Sequence, residues 1–348
     1  MKAVKKYSEG GIHFKLVEVD EPALQNGNDV KIEIDSIGIC TSDIHVLHGA
    51  MEMPDGNIVG HEFSGRIIEM GNSVNKAFSI GDRVVCELAK GACFNCKLCH
   101  SGHYELCPQK QPPGWKSQGI YTRYTVQPDY CLHKVPESVP MDVAALTEPV
   151  AICTYGILER GRIQKEDFTV IYGMGPIGLL SLITLLDYGL KNVICVTSTR
   201  HSTARLDLAV ELGATQVFST EQDIPKEVLK LNNGWKADCV IDCSGAPQAI
   251  NQGLSLLNKG GKFIALGITN ESQISFSFNT AILNVLDVIF SATSSHTAWN
   301  KAIGILERNP EKIKKVITHT FPLSEWQRAY QKVENREAIK VILTPILV

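Results

Sequence analysis

The sequence lacks the features that mark several large classes of protein. It has no basic run, and its formal net charge is only -3, which argues against nucleic acid or an anionic membrane as a partner. Residues 1–6 do not form the apolar run of a signal peptide, and no later apolar stretch has the length of a membrane span. Internal repeats and low-complexity tracts are missing too. We therefore predict a cytoplasmic protein.

Length and composition indicate how many domains the chain can form and in which state its cysteines are. The chain has 348 residues, of which 44% are hydrophobic, enough for two domains with their own cores. Its eleven cysteines, in a reducing compartment, are expected to be thiols and metal ligands rather than disulfides. We expect five of them to be small buried side chains: Cys86, Cys131, Cys153, Cys195 and Cys239.

A glycine-rich turn divides the chain into two halves. Residues 168–178 read Phe-Thr-Val-Ile-Tyr-Gly-Met-Gly-Pro-Ile-Gly and precede an apolar run to residue 190, which predicts a strand, a turn and a helix. In a dinucleotide fold the first glycine permits the turn, the second admits the diphosphate and the third lets helix pack on strand. The phosphates would lie at the helix N-terminus. The predicted cofactor-binding residues here are Gly173, Gly175, Pro176, Ile177 and Gly178.

Residues 1–90 are predicted to be an all-β region of short strands and turns, with strands at residues 31–36 and 63–69. Within it, Cys40 is followed by the pair His61 and Glu62. All three side chains are competent zinc ligands, and a catalytic zinc site has three protein ligands and an open position. Spacing alone leaves open that Cys40 is merely buried and His61 merely a surface residue.

A four-cysteine motif follows, with the spacing C-x2-C-x2-C-x7-C: Cys93, Cys96, Cys99 and Cys107. Four thiolates this close repel one another unless they bind a cation, and a closed tetrahedral zinc site satisfies them. An iron–sulfur cluster or a pair of disulfides are the alternatives. We favour structural zinc.

Taken together, the motifs resemble the zinc-containing medium-chain dehydrogenase/reductase family, in particular its sorbitol (polyol) dehydrogenase-like branch, a neighbour of the threonine and butanediol dehydrogenases. The resemblance covers essentially the whole chain and rests on Gly60-His61-Glu62, Gly81-Asp82-Arg83-Val84, the four cysteines, Glu148-Pro149 and residues 173–178. It implies an α/β plus β fold, with a GroES-like β-rich catalytic zinc domain (residues 1–150 plus 292–348) and an inserted Rossmann cofactor-binding domain (residues 151–291). A homodimer or homotetramer is also implied.

The resemblance also implies roles for the site residues. Cys40 and His61 match the family's catalytic zinc ligands, while Glu62 and Glu148 match carboxylates that bind zinc or its water, and which of them touches the metal is left open. Zinc would act as a Lewis acid on a secondary alcohol, whose hydride passes to NAD(P). Ser42 and His45 match a proton relay, although Ser42 also suits a turn and His45 a surface position.

The second half continues with alternating strands and helices, the strands being predicted at residues 193–197, 216–219, 237–243, 262–267 and 287–291. Leu266 and Gly267 lie at a strand end, where residues of an open parallel sheet face the cofactor. The strand at 193–197 decides cofactor choice, because NAD sites normally end it with an acidic residue. Here Ser198, Thr199 and Arg200 follow instead, which favours NADP(H) without excluding NAD(H). Arg205 matches a position where many family members carry arginine with either cofactor.

The substrate is the least defined part of the prediction. Animal polyol dehydrogenases carry an Arg-Tyr pair after the last Rossmann strand, whereas residues 291–296 here read Ser-Ala-Thr-Ser-Ser-His. Hydroxyls and His296 suit a polar substrate. We therefore predict a zinc-dependent dehydrogenase of a small-molecule alcohol or ketone, a polyol or its ketose. The alternatives are threonine 3-dehydrogenase- or butanediol dehydrogenase-like activity and, further off, a non-catalytic cofactor-binding protein.

Overall fold

The computed structural model describes residues 1–198, 203–269 and 271–345. Two compact units divide the chain: the first comprises Met1–Glu148, Ser295–Pro310 and Ile317–Val348, and the second comprises Pro149–Ser294 and Glu311–Val316. The domain boundaries expected from the sequence stay a prediction. None of the helices in the described ranges has the length and apolar character needed to cross a lipid bilayer.

The strands, in chain order, are β1 (Lys2–Tyr7), β2 (His13–Glu18), β3 (Asp29–Gly38), β4 (Glu62–Met70), β5 (Arg83–Cys86), β6 (Tyr124–Pro128), β7 (Leu132–Lys134), β8 (Thr169–Tyr172), β9 (Val193–Thr197), β10 (Gln216–Ser219), β11 (Ala237–Asp242), β12 (Leu257–Ala265), β13 (Asp287–Phe290), β14 (Ile317–Pro322) and β15 (Lys340–Thr344). The helices are α1 (Thr41–Leu47), α2 (Lys97–His100), α3 (Met141–Ala144), α4 (Thr147–Thr154), α5 (Pro176–Tyr188), α6 (Ala204–Leu212), α7 (Ile224–Leu231), α8 (Pro247–Leu256), α9 (Phe278–Leu283), α10 (His296–Arg308), α11 (Pro310–Lys314) and α12 (Trp326–Glu334). A π-helical turn, Tyr155–Arg160, follows α4.

The second unit is built on a six-stranded parallel sheet with the order β10-β9-β8-β11-β12-β13. Its central strands are short runs of buried, mostly β-branched residues, as expected when helices cover both faces of a sheet. The order is that of the dinucleotide-binding fold, in which ligands bind beyond the carboxyl ends of the strands where the order reverses. Here the reversal lies between β8 and β11.

The first unit contains a two-stranded sheet, β1 with β2, and a seven-stranded sheet in the order β14-β15-β3-β4-β5-β7, with β6 paired to β3. Strand β3 alternates as predicted, since Ile32 and Ile34 are buried and Asp35 is exposed. The end of the chain completes this sheet, because β15 pairs antiparallel with β3 through Ile342 opposite Gly38. The two units together confirm the predicted fold class, a β-rich domain combined with a Rossmann fold.

One sequence prediction for this unit is wrong: residues 1–90 are not all β. Helix α1 begins after Cys40, whose extended backbone forms the N-cap, and the carboxylate of Asp43 accepts a hydrogen bond from the Cys40 N–H at 3.1 Å. The arrangement is a capping box. Cysteine is not a usual N-cap residue and the helix has only seven residues, so composition gave little sign of it.

Candidate functional site

Three of the predicted ligands converge at one end of the β3–β4 pair. Cys40 follows β3, while His61 precedes and Glu62 begins β4; their ligand atoms all lie within 4.8 Å of one another. The register places Gly38 opposite Glu62. A Cβ on Gly38 would lie only 2.2 Å from Oε2 of Glu62, so this position needs glycine for the carboxylate to reach the cluster.

Asp43 supports this cluster from α1. One carboxylate oxygen lies 3.4 Å from Nδ1 of His61, and the other accepts hydrogen bonds from Cys40 N–H at 3.1 Å and the Tyr121 hydroxyl at 3.0 Å. Burial lowers the pKa of His61, but the charges of Asp43 and Cys40 outweigh burial and raise the pKa well above its usual value. The cluster therefore favours a positive charge at its centre, whether a proton or a metal ion.

Lys340 contacts the cluster and was not predicted from the sequence. Its ammonium group forms an ion pair with Oε2 of Glu62 and donates a hydrogen bond to the Ile39 carbonyl at 2.8 Å, and both charged side chains are buried. Burial lowers the pKa of Lys340, but Glu62 and Cys40 raise it overall. The available signal was a single lysine in the apolar run of residues 338–343, because a buried lysine needs a charged partner.

Glu148 lies in the first turn of α4 and is buried, with 6% exposure. It does not belong to the group of ligand atoms within 4.8 Å, which is formed by Cys40, His61 and Glu62. Burial is the main cause that raises its pKa to about 7; Glu62 acts in the same direction, while His61 opposes it. This carboxyl group therefore changes protonation near neutral pH, as a proton acceptor or donor requires.

The two relay candidates both lie on α1, one turn apart. Ser42 is buried, and its Oγ has no hydrogen-bond partner among the described residues. His45 is partly buried, and burial together with the nearby His48 lowers its pKa. A buried hydroxyl without a partner costs free energy, which a bound ligand would recover. The roles of both residues stay predictions.

Trp115 is a second residue that the sequence reasoning missed. Its indole stacks on His61, with ring centroids 4.2 Å apart and planes at 28°. Its Nε1 is buried and lacks a hydrogen-bond acceptor within the part of the chain that is described. Trp115 lies on a loop after Pro112 and Pro113. Because the loop has no helix or strand periodicity, its sequence could not predict the contact with His61.

The four cysteines of the loop before β6 also converge. The Sγ–Sγ distances are 3.5 Å for Cys96–Cys99, 3.6 Å for Cys93–Cys107 and 3.9 Å for Cys93–Cys99. A tetrahedron with metal–sulfur bonds of about 2.3 Å has edges of about 3.8 Å, so the thiols are spaced for one ion. The distances are too long for disulfides and too short for thiolates separated by several iron atoms. The Cys93 N–H and other backbone donors lower the pKa of Cys107 to about 6.

The glycine turn has the geometry that a diphosphate needs. Gly173 has φ of +91°, and a Cβ on Gly178 would lie 1.9 Å from the Gly173 carbonyl oxygen. Gly175 instead faces open space, since the nearest atom to a Cβ there would be Nη1 of Arg205 at 3.9 Å. Pro176 and Ile177 begin α5, with Gly175 as N-cap, so N–H groups of the first turn face this space.

The other cofactor-binding candidates at strand ends follow β9 and β12. Ser198 follows β9 and is exposed, whereas Thr199 and Arg200 lie outside the described residues. Leu266 and Gly267 follow β12, and their N–H groups donate to the carbonyl of Asp242 at 2.8 and 2.9 Å. A Cβ on Gly267 would lie 2.3 Å from the Gly245 nitrogen. These two residues therefore hold the loops beyond β11 and β12 together, and their contact with a cofactor stays a prediction.

Two family models match consecutive parts of the chain. The alcohol dehydrogenase GroES-like domain matches residues 26–137, and the glucose dehydrogenase C-terminus matches residues 141–344. The sorbitol dehydrogenase of Halalkalibacterium halodurans is 36% identical, over 99% of this chain and 100% of that protein. The D-arabitol-phosphate dehydrogenase of Enterococcus avium is 32% identical, over 99% and 97%. The L-threonine 3-dehydrogenase of Bacillus licheniformis is 30% identical, over 99% of both.

Of two solved structures with the same fold, one contains NADP and the other NADH. A candidate zinc-binding dehydrogenase from Sinorhizobium meliloti, bound to NADP, has a TM-score of 0.86 at 25% identity over 99% of both chains. An alcohol dehydrogenase from Escherichia coli CFT073, complexed with NADH, has a TM-score of 0.87 at 27% identity over 99% of both chains. These matches confirm the predicted oxidoreductase class, with zinc and a nicotinamide cofactor. The chain belongs to the zinc-containing medium-chain dehydrogenase/reductase family, in its sorbitol (polyol) dehydrogenase-like branch.

Proposed function

We propose that the protein transfers a hydride between the CH–OH group of a polyol, or the corresponding ketose, and NADP(H). The observation that carries this proposal is the convergence of Cys40, His61 and Glu62, with ligand atoms within 4.8 Å. Lys340 and Asp43 orient the carboxylate and the imidazole of this set. Such a ligand set fits a metal ion with an open position for substrate.

We assign two zinc ions per chain. Cys40, His61 and Glu62 would hold the catalytic ion, and Cys93, Cys96, Cys99 and Cys107 the structural one. A bound catalytic zinc would supply the Lewis acidity that lowers the pKa of the substrate alcohol. Glu62 is preferred over Glu148 as third ligand, because its carboxylate lies within the cluster and Glu148 does not.

The remaining residues of the site handle the proton. Glu148, with its pKa raised to about 7, can take up or release a proton near the cluster at neutral pH. Ser42 offers a buried hydroxyl without a partner among the described residues, and His45, with a lowered pKa, is a neutral acceptor at pH 7. We propose that the proton of the alcohol leaves along Ser42 and His45.

The preference for NADP(H) rests on the residues directly after β9. Thr197 ends the strand and Ser198 comes next, in place of the acidic residue that accepts hydrogen bonds from the ribose of NAD. Thr199 and Arg200, outside the described residues, add a hydroxyl and a guanidinium to the sequence here, both suited to a phosphate. Arg205, whose Nη1 lies near Gly175, adds positive charge beside the diphosphate position with either cofactor.

Two further parts of the proposal concern assembly and location. Strand β13 is the last in its sheet order, and the apolar side chains beside it are widely exposed: Leu283 and Val285 at 73% and Phe290 at 67%. An apolar sheet edge of this kind is suited to a second copy of the chain, so we propose a homo-oligomer, dimer or tetramer.

All eleven cysteines are free thiols, which suits the reducing cytoplasm.

The function is tested by following absorbance at 340 nm with zinc-analysed protein. NAD and NADP are each crossed with polyols, ketoses, polyol phosphates, threonine and butanediol. We expect reduction of NADP by a polyol; turnover with threonine alone would overturn the substrate assignment. His61→Gln should abolish turnover and remove one zinc, whereas His319→Ala, at a partly buried position in β14 outside the cluster, should change neither. Full activity of His61→Gln would refute the assigned site.

A further inference from the structure

A second group of imidazole and carboxylate side chains lies in the first unit, made of Glu87, His133 and His296. Oε1 of Glu87 is 2.6 Å from Nε2 of His133 and 2.7 Å from Nδ1 of His296. The residues come from separate elements: Glu87 follows β5, His133 lies in β7 and His296 begins α10. Sequence reasoning considered His296 as a contact for substrate, but the structure pairs it with Glu87.

The three ligand atoms lie within 4.8 Å of one another. The side chains of Glu87 and His133 are almost fully buried, at 1% and 3% exposure, while that of His296 is 48% exposed. The two imidazole rings are 4.5 Å apart at an angle of 36°, and each directs one nitrogen to the same carboxylate oxygen. The group is thus closed on the protein side and open to solvent beside His296.

His133 has an oxygen atom within hydrogen-bond distance of each ring nitrogen. Its Nδ1 lies 2.9 Å from Oδ1 of Asn300, while its Nε2 faces the carboxylate of Glu87. A neutral imidazole has only one N–H. When that N–H donates to Asn300, a lone pair on Nε2 faces the carboxylate oxygen, and either a second proton or a metal ion bound by both atoms resolves the repulsion.

Supporting hydrogen bonds of the kind that orient metal ligands are present on both buried groups. Oδ1 of Asn300 lies 2.9 Å from the far nitrogen of His133 and, as an acceptor, favours a proton on that nitrogen. The Tyr104 hydroxyl donates to Oε2 of Glu87 at 2.8 Å and so orients the carboxylate. Hydrogen bonds of this type are a regular feature of histidine and carboxylate metal ligands.

We propose that Glu87, His133 and His296 form a third metal site, which takes a divalent ion of the zinc class. Two imidazoles and one carboxylate suit zinc and its first-row neighbours, whereas calcium and magnesium prefer oxygen ligands alone. The open side at His296 leaves a coordination position for water. Because Glu87 and His296 are 209 residues apart, the ion links α10 to the strands β5 and β7.

Cobalt(II) is the probe that tests this site, because it replaces zinc and absorbs visible light in such ligand sets. The full chain, with two equivalents of zinc already bound, is titrated with Co²⁺ and its metal content measured after gel filtration. We expect the wild-type protein to bind one more equivalent than His296→Gln, a change at a half-exposed side chain. The matched control is His48→Gln, since exposed His48 also lies 2.6 Å from a carboxylate, that of Glu334; this variant should bind like the wild type.

A second variant leaves all three ligands intact. Asn300→Ala removes an exposed side chain. It should weaken Co²⁺ binding about 10- to 100-fold, because Nδ1 of His133 loses the acceptor that favours a proton there and leaves Nε2 free to bind the metal. Equal Co²⁺ binding by the wild type and His296→Gln would show a hydrogen-bonded cluster without metal and overturn the proposal. The test is independent of the proposed function, because His61→Gln and Cys96→Ser report on the other two sites by losing their own equivalents.

Discussion

The ammonium group of Lys340 and the carboxylate of Glu62 form an ion pair that is almost wholly excluded from solvent, at 2% and 1% exposure. The lysine also donates to the Ile39 carbonyl. The pair joins β15, near the end of the chain, to the first residue of β4. The C-terminal strand therefore sets the position of a proposed zinc ligand and holds its charge in place.

Replacing Lys340 by methionine should be costly, because it leaves the charge of Glu62 buried without its partner. Removing one member of a buried ion pair costs about 3–5 kcal/mol, to be measured as the free energy of unfolding in urea. The double variant Lys340→Met/Glu62→Gln should recover most of that loss while losing catalytic zinc. If Lys340→Met alone is as stable as the wild type, the two charges do not depend on each other.

Much of the second unit is predictable from sequence because its signals are local. The strands predicted at residues 193–197 and 216–219 agree with β9 and β10, and the glycine turn lies where the pattern put it. The five cysteines predicted to be buried are so, each at 3% exposure or less. Short buried strands between turns and helices give clear patterns in a parallel sheet.

The surroundings of the proposed metal ligands were not predictable in the same way. Lys340 and Trp115 reach the site from parts of the chain far from Cys40, and no spacing rule connects them. Helix α1 was missed because its cap depends on the side chain of Asp43 rather than on a run of helix-forming residues. Ligand types can be read from local sequence, whereas the groups that orient them are fixed by the tertiary fold.

Cys96→Ser should remove the structural ion without touching the catalytic one. The Sγ atoms of Cys96 and Cys99 are 3.5 Å apart, and loss of one thiolate breaks a closed four-ligand site. We expect zinc to fall by one equivalent per chain and the apparent Tm to drop. Cys195→Ala, at a thiol buried in β9, is the control and should keep both ions. Unchanged zinc in Cys96→Ser would refute the structural site.

Trp115 has two separable features, its stacking on His61 and an indole N–H that has no acceptor among the described residues. Trp115→Phe keeps an aromatic ring but removes the donor, so a substrate hydroxyl bound by it would lose one hydrogen bond. We expect KM to rise about 2- to 10-fold with kcat unchanged, in line with about 0.5–1.5 kcal/mol per hydrogen bond. Trp115→Ala should in addition lower kcat, because His61 loses its packing. A KM that stays constant in Trp115→Phe would exclude the indole N–H from substrate binding.

The protonation state of His45 is expected to affect how the rate of alcohol oxidation changes with pH. Burial and His48 lower its pKa below the usual 6.5, so the imidazole is neutral at pH 7 and can accept a proton in the proposed relay. As pH falls through that lowered pKa, below the pKa of about 7 of Glu148, His45 gains a proton, and the rate of oxidation should fall further. His45→Gln should lower kcat for oxidation about 100-fold at pH 7, remove this acidic limb and recover at high pH. An unchanged pH profile in the variant would place the proton path elsewhere.

Cofactor choice should respond to a single charge placed after β9. Ser198 is the first residue beyond that strand, where an aspartate would accept hydrogen bonds from the ribose hydroxyls of NAD and repel the 2′-phosphate of NADP. We expect Ser198→Asp to shift the ratio of kcat/KM for NADP over NAD at least tenfold toward NAD, about 1.4 kcal/mol of differential binding. Ser198→Asn, similar in size but uncharged, should shift the ratio much less. If both variants keep the wild-type ratio, the residues at this end of β9 do not contact the cofactor ribose. The proposed preference for NADP(H) would then lose its main support.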